Sequence, residues 1–109
     1  MADDKKPASS DTIDEAVSEA ASLEADANAV AEAAEEAEDE TLKERAHKTA
    51  TKAKAALDKT QIPGASEAVM QSVLHETRQL RAELKGSIAK APASTRDALD
   101  DILNLFNLW

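Results

Sequence analysis

Apolar residues recur in steps of three and four through the first half of the chain, and this period constrains the fold more than any other feature. Such spacing places them along one seam of a helix, at the period of a coiled coil. Nine residues make up this seam. Five of them are alanine, which permits close helix packing but removes little apolar area from water. The sequence predicts a helix that is solvated or loosely paired, and leaves open a homo-oligomer through the 13–41 seam. The seam residues are Ile13, Ala16, Ala20, Leu23, Ala27, Val30, Ala34, Ala37 and Thr41.

Capping residues and prolines divide the first part of the chain into a leader and an arm. Residues 1–11 have no periodic apolar positions, which predicts a mobile leader. Residues 12–61 form a long helical arm, acidic and then basic, with Thr12 as its expected N-cap. Crowded carboxylates predict a kink or break near 39–41, and whether the arm is one helix or two stays open.

Two more helical segments follow the arm. Ser66 is the expected cap of an amphipathic helix over 66–91, with Arg78 and Arg81 away from its apolar face, and Pro92 ends it. Residues 95–109 form a short apolar C-terminal helix. The fold class is therefore all-α, as a small bundle or an extended helical, coiled-coil arrangement.

Charge is distributed unevenly along the chain, whose net charge is −9. Residues 1–40 hold 14 acidic and 2 basic side chains, whereas residues 41–60 hold 2 acidic and 6 basic ones. The cations between Lys43 and Lys59 have no aromatic neighbour that would stack on a base, so nucleic-acid binding is not favoured. We expect these cations to pair with the acidic arm, within one chain or between chains.

Residues suited to catalysis are sparse. The chain has no cysteine, its histidines His47 and His75 stand far apart, and Gly64 and Gly86 are isolated, so no metal motif or phosphate-cradling loop is evident. We expect no enzymatic activity, no cofactor and no bound metal. No secretory signal or membrane-length apolar stretch is evident, which predicts a cytoplasmic protein or a virion component.

The C-terminal segment carries the predicted partner-binding residues. Most of its large apolar side chains share one helical face, which Leu105 and Leu108 widen. This helix either folds back on the 66–89 face or docks in a groove of a larger protein assembly, and the hinge at Pro92 favours docking. The predicted binding residues are Leu99, Ile102, Leu103, Leu105, Phe106 and Trp109.

Two resemblances concern this segment and the composition. The run Ile102-Leu103-Asn104-Leu105-Phe106 resembles the bacterial sliding-clamp-binding pentapeptide, with Ile102 where that family has glutamine, and this implies a sliding-clamp partner. The alanine-rich composition and small size resemble phasins, which implies binding to a polyester granule surface.

These patterns predict a non-enzymatic helical adaptor or assembly protein that docks through residues 95–109. Small helical accessory chains in bacterial and phage particles suggest such a setting by analogy. The alternatives are an amphipathic membrane- or granule-surface protein of the phasin type and an acidic charge-mimic inhibitor or sliding-clamp-binding factor. Acidic Asp97, Asp100 and Asp101 count against the membrane alternative.

Overall fold

Four helices make up the computed structural model, which describes residues 7–105 and the side chains of residues 7–100. They are α1 (Ser10–Glu36), α2 (Glu40–Thr60), α3 (Glu67–Ala89) and α4 (Ala93–Leu105). The first three pack side by side with short turns between them, so neighbours along the chain run antiparallel, and α4 packs on α1. The all-α prediction is confirmed.

The N-cap of α1 lies three residues earlier than the sequence suggested. Ser9 is the N-cap, because its Oγ accepts a hydrogen bond of 3.2 Å from the Thr12 N–H. Pro7 and Ala8 lie along the α2–α3 turn, where the Ala8 N–H donates to the Ala65 carbonyl at 3.2 Å. The described part of the expected leader is therefore attached to the bundle.

Glu67 stabilises the contact between the segment before α1 and the rest of the bundle. Its carboxylate accepts hydrogen bonds from Gln71 Nε2 at 2.9 Å and from the Ser9 N–H at 3.2 Å. These bonds, that of Gln71 first, lower the pKa of Glu67 below its ordinary value. Because the pKa of Glu67 is lower in the folded state than in the unfolded state, these hydrogen bonds stabilise the fold at pH values above the unfolded-state pKa. This stabilisation is lost as the pH falls through the folded-state pKa.

The arm is two helices, and the break lies at Ala37–Asp39, slightly before the expected 39–41. The end of α1 is a Schellman motif: Asp39 N–H donates to the Ala34 carbonyl at 2.8 Å, and Glu38 N–H donates to the Glu35 carbonyl at 3.0 Å. Glu38 takes the left-handed conformation, with φ 61°, where glycine is usual. Asp39 is the N-cap of α2.

Replacing Glu38 by glycine is expected to raise the free energy of unfolding by about 1 kcal/mol. A left-handed conformation costs a non-glycine residue roughly 1–2 kcal/mol, and the greater freedom of glycine in the unfolded chain offsets part of the gain. Urea unfolding followed by circular dichroism measures the change. Glu38→Gln is the matched control, because it removes the charge and keeps the strain. Equal stabilisation by both variants would assign the effect to charge alone.

Small side chains fill most of the core. The seam residues Ala16, Ala20, Leu23, Ala27, Val30 and Ala34 are buried within the chain, as the period predicted. Towards its C-terminal end α1 is buried over a wider arc, which adds Asp26, Ala31 and Ala33. This wider arc is explained by α1 being the helix that α2, α3 and α4 all contact.

Helix α3 supplies much of the larger apolar volume. It begins after Ser66, whose Oγ accepts a 3.2 Å bond from the Val69 N–H, as expected. Its apolar face is buried as the amphipathic pattern predicted, and Val69 at the edge of that face is half-buried. The buried residues are Met70, Val73, Leu74, Thr77, Leu80, Leu84 and Ile88.

Candidate functional site

The C-terminal helix, predicted as the partner-binding element, joins the bundle through its first two turns. Leu99 has an exposed fraction of 0% and belongs to the core cluster that contains Leu23, Leu84 and Ile88. Leu99 was predicted to contact a partner, but the structure makes it a core residue of its own chain. The other five predicted residues, Ile102, Leu103, Leu105, Phe106 and Trp109, lie outside the described side chains.

Asp39 joins α4 to the α1–α2 turn. Its Oδ1 accepts the Leu42 N–H at 3.0 Å, and its Oδ2 accepts a hydrogen bond from Thr95 Oγ1 at 3.2 Å. Thr95 is only 2% exposed, so this second bond is shielded from water. One carboxylate therefore caps α2 and also lies beside the first turn of α4, where the helix dipole favours negative charge.

A solvent-open cleft of about 600 Å³ lies between the α1–α2 and α3–α4 turns. Ala37, Leu42, Ala91 and Pro92 give it apolar surface. Both signs of charge line it, so it does not select an anion or a cation by charge alone. Its ionisable residues are Glu38, Asp39, Glu40, Arg45 and Lys90.

A second polar feature lies at the α1–α3 interface. Arg81 Nη1 approaches Asp26 Oδ2 to 2.8 Å, and the Asp26 side chain is only 3% exposed. The sequence had placed Arg81 away from the buried face together with Arg78. Arg78 is indeed exposed and pairs with Glu15 and Glu19, whereas Arg81 reaches back to the core.

Local spacing contained part of the signal for both polar contacts. Asp26 follows Leu23 by three residues, and Thr95 precedes Leu99 by four, so each shares a helical row with a buried leucine. A polar residue on an apolar row needs a partner when it is buried. The partners themselves, Arg81 and Asp39, are 55 and 56 residues away in sequence, which no local period reveals.

Neither a metal site, nor a membrane span, nor a comparison with known proteins adds an assignment for the described residues. Within residues 7–105, no group of three or more His, Asp or Glu residues is arranged to hold a metal ion. None of the four helices, as far as they are described, has both the length and the apolar character required to cross a membrane. Comparisons with protein-family models, curated proteins and solved structures gave no match.

Proposed function

We propose that this chain is a non-enzymatic helical adaptor or assembly protein, in which the bundle positions a C-terminal helix that docks on a larger protein. The observation that carries the proposal is the division of α4. Its first two turns are bound to the chain's own core through Thr95 and Leu99. The large apolar residues of the sequence continue past that attachment to Trp109.

If α4 continues to the end of the sequence, its large apolar residues form two stripes along the helix surface. Each residue advances the helix by about 100°, so Leu103 and Phe106 follow the row of Leu99. Leu105 comes six residues after Leu99 and is rotated from it by about 120°. Leu108 and Trp109 follow Leu105 by three and four residues and share its row. We assign partner binding to this second stripe, because a helix held against α1 by Leu99 cannot turn both stripes toward it.

The cost of leaving that stripe in water supports a docking role. Each large apolar side chain gains about 1.5–3 kcal/mol on full burial, before ordering costs. Trp109, one of the two aromatic residues of the chain, belongs to this stripe. Aromatic anchors that follow a short apolar helix are typical of helix-in-groove recognition. The lack of cysteine suits a reducing compartment such as the cytoplasm.

Substitutions in the second stripe test the proposal. Leu105→Ala combined with Trp109→Ala is expected to reduce the amount of partner protein that the chain captures from a lysate by more than tenfold. The reason is that hot-spot side chains each contribute about 2 kcal/mol or more to binding. The matched control is Asn104→Ala with Asn107→Ala, which changes neighbouring polar residues of the same segment and should leave capture intact. Circular dichroism establishes that both variants keep the bundle.

The structure also fixes where a truncation must fall. Deleting residues 95–109 would remove Leu99 and Thr95 from the core, so a loss of binding would be confounded by a loss of folding. Removing residues 102–109 keeps both. If this shorter chain still captured the assembly, the docking proposal would fail. Sedimentation of the intact chain with lipid vesicles, absent for the truncated chain, would favour the interfacial alternative instead.

A further inference from the structure

The exposed surface of α2 carries an ordered row of charge. Glu40, Glu44, Lys48 and Lys52 follow one another at intervals of four residues, and all four are exposed. Residues four apart are neighbours on a helix surface, so the four form a continuous row with two negative groups followed by two positive ones. Glu40 and Glu44 lie on the side of α2 away from the buried residue Leu42, whereas Lys48 and Lys52 lie on the flank nearer α3, where they line a cleft with Leu80 and Glu83.

These four charges are unpaired in the described part of the chain. The cations of this region that do form ion pairs are Lys43, which contacts Glu35 at 3.4 Å, and Lys59, which contacts Glu76 at 3.4 Å. Between residues 7 and 100, no side chain of opposite charge lies within 4.0 Å of any member of the row. Intramolecular pairing of the basic segment with the acidic arm is thus confined to Lys43 among the described residues.

We propose that this row is a self-docking surface, on which α2 of a second copy packs antiparallel about a twofold axis at the level of Ala46. Under that symmetry Glu44 faces Lys48 of the second copy, and Glu40 faces its Lys52. The twofold axis repeats both pairs, because a self-complementary surface makes each contact twice. The order of two negative and two positive charges is the pattern that such a surface requires.

Helix geometry permits the contact. Rows of residues four apart are inclined by about 26° to the helix axis, so two of them lie side by side when the helices cross at about 50°. The row extends over 12 residues, or about 18 Å of helix. Thr51 and Ala55, which are exposed on the same side of α2, are short and allow the two helices to approach. The seam at 13–41 is not involved, because most of it is buried inside the chain.

The energetics give the contact a distinctive salt dependence. Exposed ion pairs are individually weak and are screened by salt, so the dimer should be weak and should form best at low ionic strength. A chain of net charge −9 without such a surface would behave in the opposite way, because self-repulsion is strongest at low ionic strength. The sign of the salt dependence therefore separates the proposal from ordinary repulsion.

Charge reversal with complementation tests the proposal on the full chain. Sedimentation equilibrium of the wild type should show a monomer–dimer equilibrium in 25 mM NaCl, with an association constant about tenfold lower in 300 mM NaCl. Lys48→Glu with Lys52→Glu makes the row entirely acidic, and Glu40→Lys with Glu44→Lys makes it entirely basic. Each double variant should be monomeric alone, and an equimolar mixture should form a one-to-one heterodimer.

The matched control reverses two cations elsewhere, Lys85→Glu on α3 and Lys90→Glu at its C-cap, and should dimerise as the wild type does. All substituted residues are exposed or half-buried, so circular dichroism should report unchanged helix content. A wild type that stays monomeric in 25 mM NaCl, or a mixture that forms no heterodimer, would overturn the proposal. Removal of residues 102–109 should not change dimerisation, so this inference and the docking function fail separately.

Discussion

Replacing Arg81 by alanine is expected to lower the free energy of unfolding by about 3 kcal/mol, because it leaves a buried carboxylate without its cation. Asp26 is 3% exposed at the side chain, and Arg81 Nη1 is its ion-pair partner at 2.8 Å. The Arg81 side chain is 27% exposed, so some water already reaches the pair. The expected loss of unfolding free energy is therefore at the lower end of the range for breaking a buried ion pair, which is about 3–5 kcal/mol. For a domain of this size, such a loss is a large fraction of the total stability.

Arg78 supplies the matched control, since it is the same residue type one helical turn away on α3. Its pairs with Glu15 and Glu19 are solvated, and Arg78→Ala should cost about 1 kcal/mol or less. Asp26→Leu combined with Arg81→Met should recover most of the stability, because apolar residues can replace a buried pair. Urea unfolding followed by circular dichroism measures all three variants. Equal losses for Arg78→Ala and Arg81→Ala would show that Asp26 does not depend on its partner.

Local sequence signals predicted the helices well because each depends on neighbouring residues. The apolar period identified most of the buried residues of α1, and Ser66 correctly marked the start of α3. The break in the arm lies earlier than predicted because Glu38 adopts the left-handed conformation. The sequence alone gives no reason to expect this conformation of a glutamate. Asp39 could have been recognised as the cap, since aspartate is among the preferred N-cap residues.

Features that depend on distant packing were not predictable in the same way. A seam period says that one face of α1 is buried, but it does not say how many helices cover it. Ala31 and Ala33 are buried beyond the seam, on the helix that every other helix contacts. The same limit applies to α4, for which folding back and docking on a partner were both open. The burial of Leu99 settles only where the first part of α4 packs.

Leu99→Ala is expected to weaken the attachment of α4 by about 3 kcal/mol, the typical cost of truncating a fully buried leucine. Its side chain is 0% exposed, and it is the large apolar residue that α4 contributes to the described core. Because α4 contacts the bundle mainly through α1, it can detach while the other three helices stay folded. Hydrogen exchange followed by NMR should therefore show loss of amide protection in residues 93–105, with α1, α2 and α3 protected.

Two matched variants separate this local release from general unfolding. Leu23→Ala removes the same side chain from the centre of α1, where it should lower the protection of the whole bundle. Asp100→Ala alters the exposed neighbour of Leu99 and should leave protection unchanged. If Leu99→Ala lowered protection everywhere, α4 would be an inseparable part of the core. If it released α4 alone, the bundle would act as a support that fixes the orientation of α4. Under the proposed docking function, the released helix should then bind more weakly, because it must first be ordered.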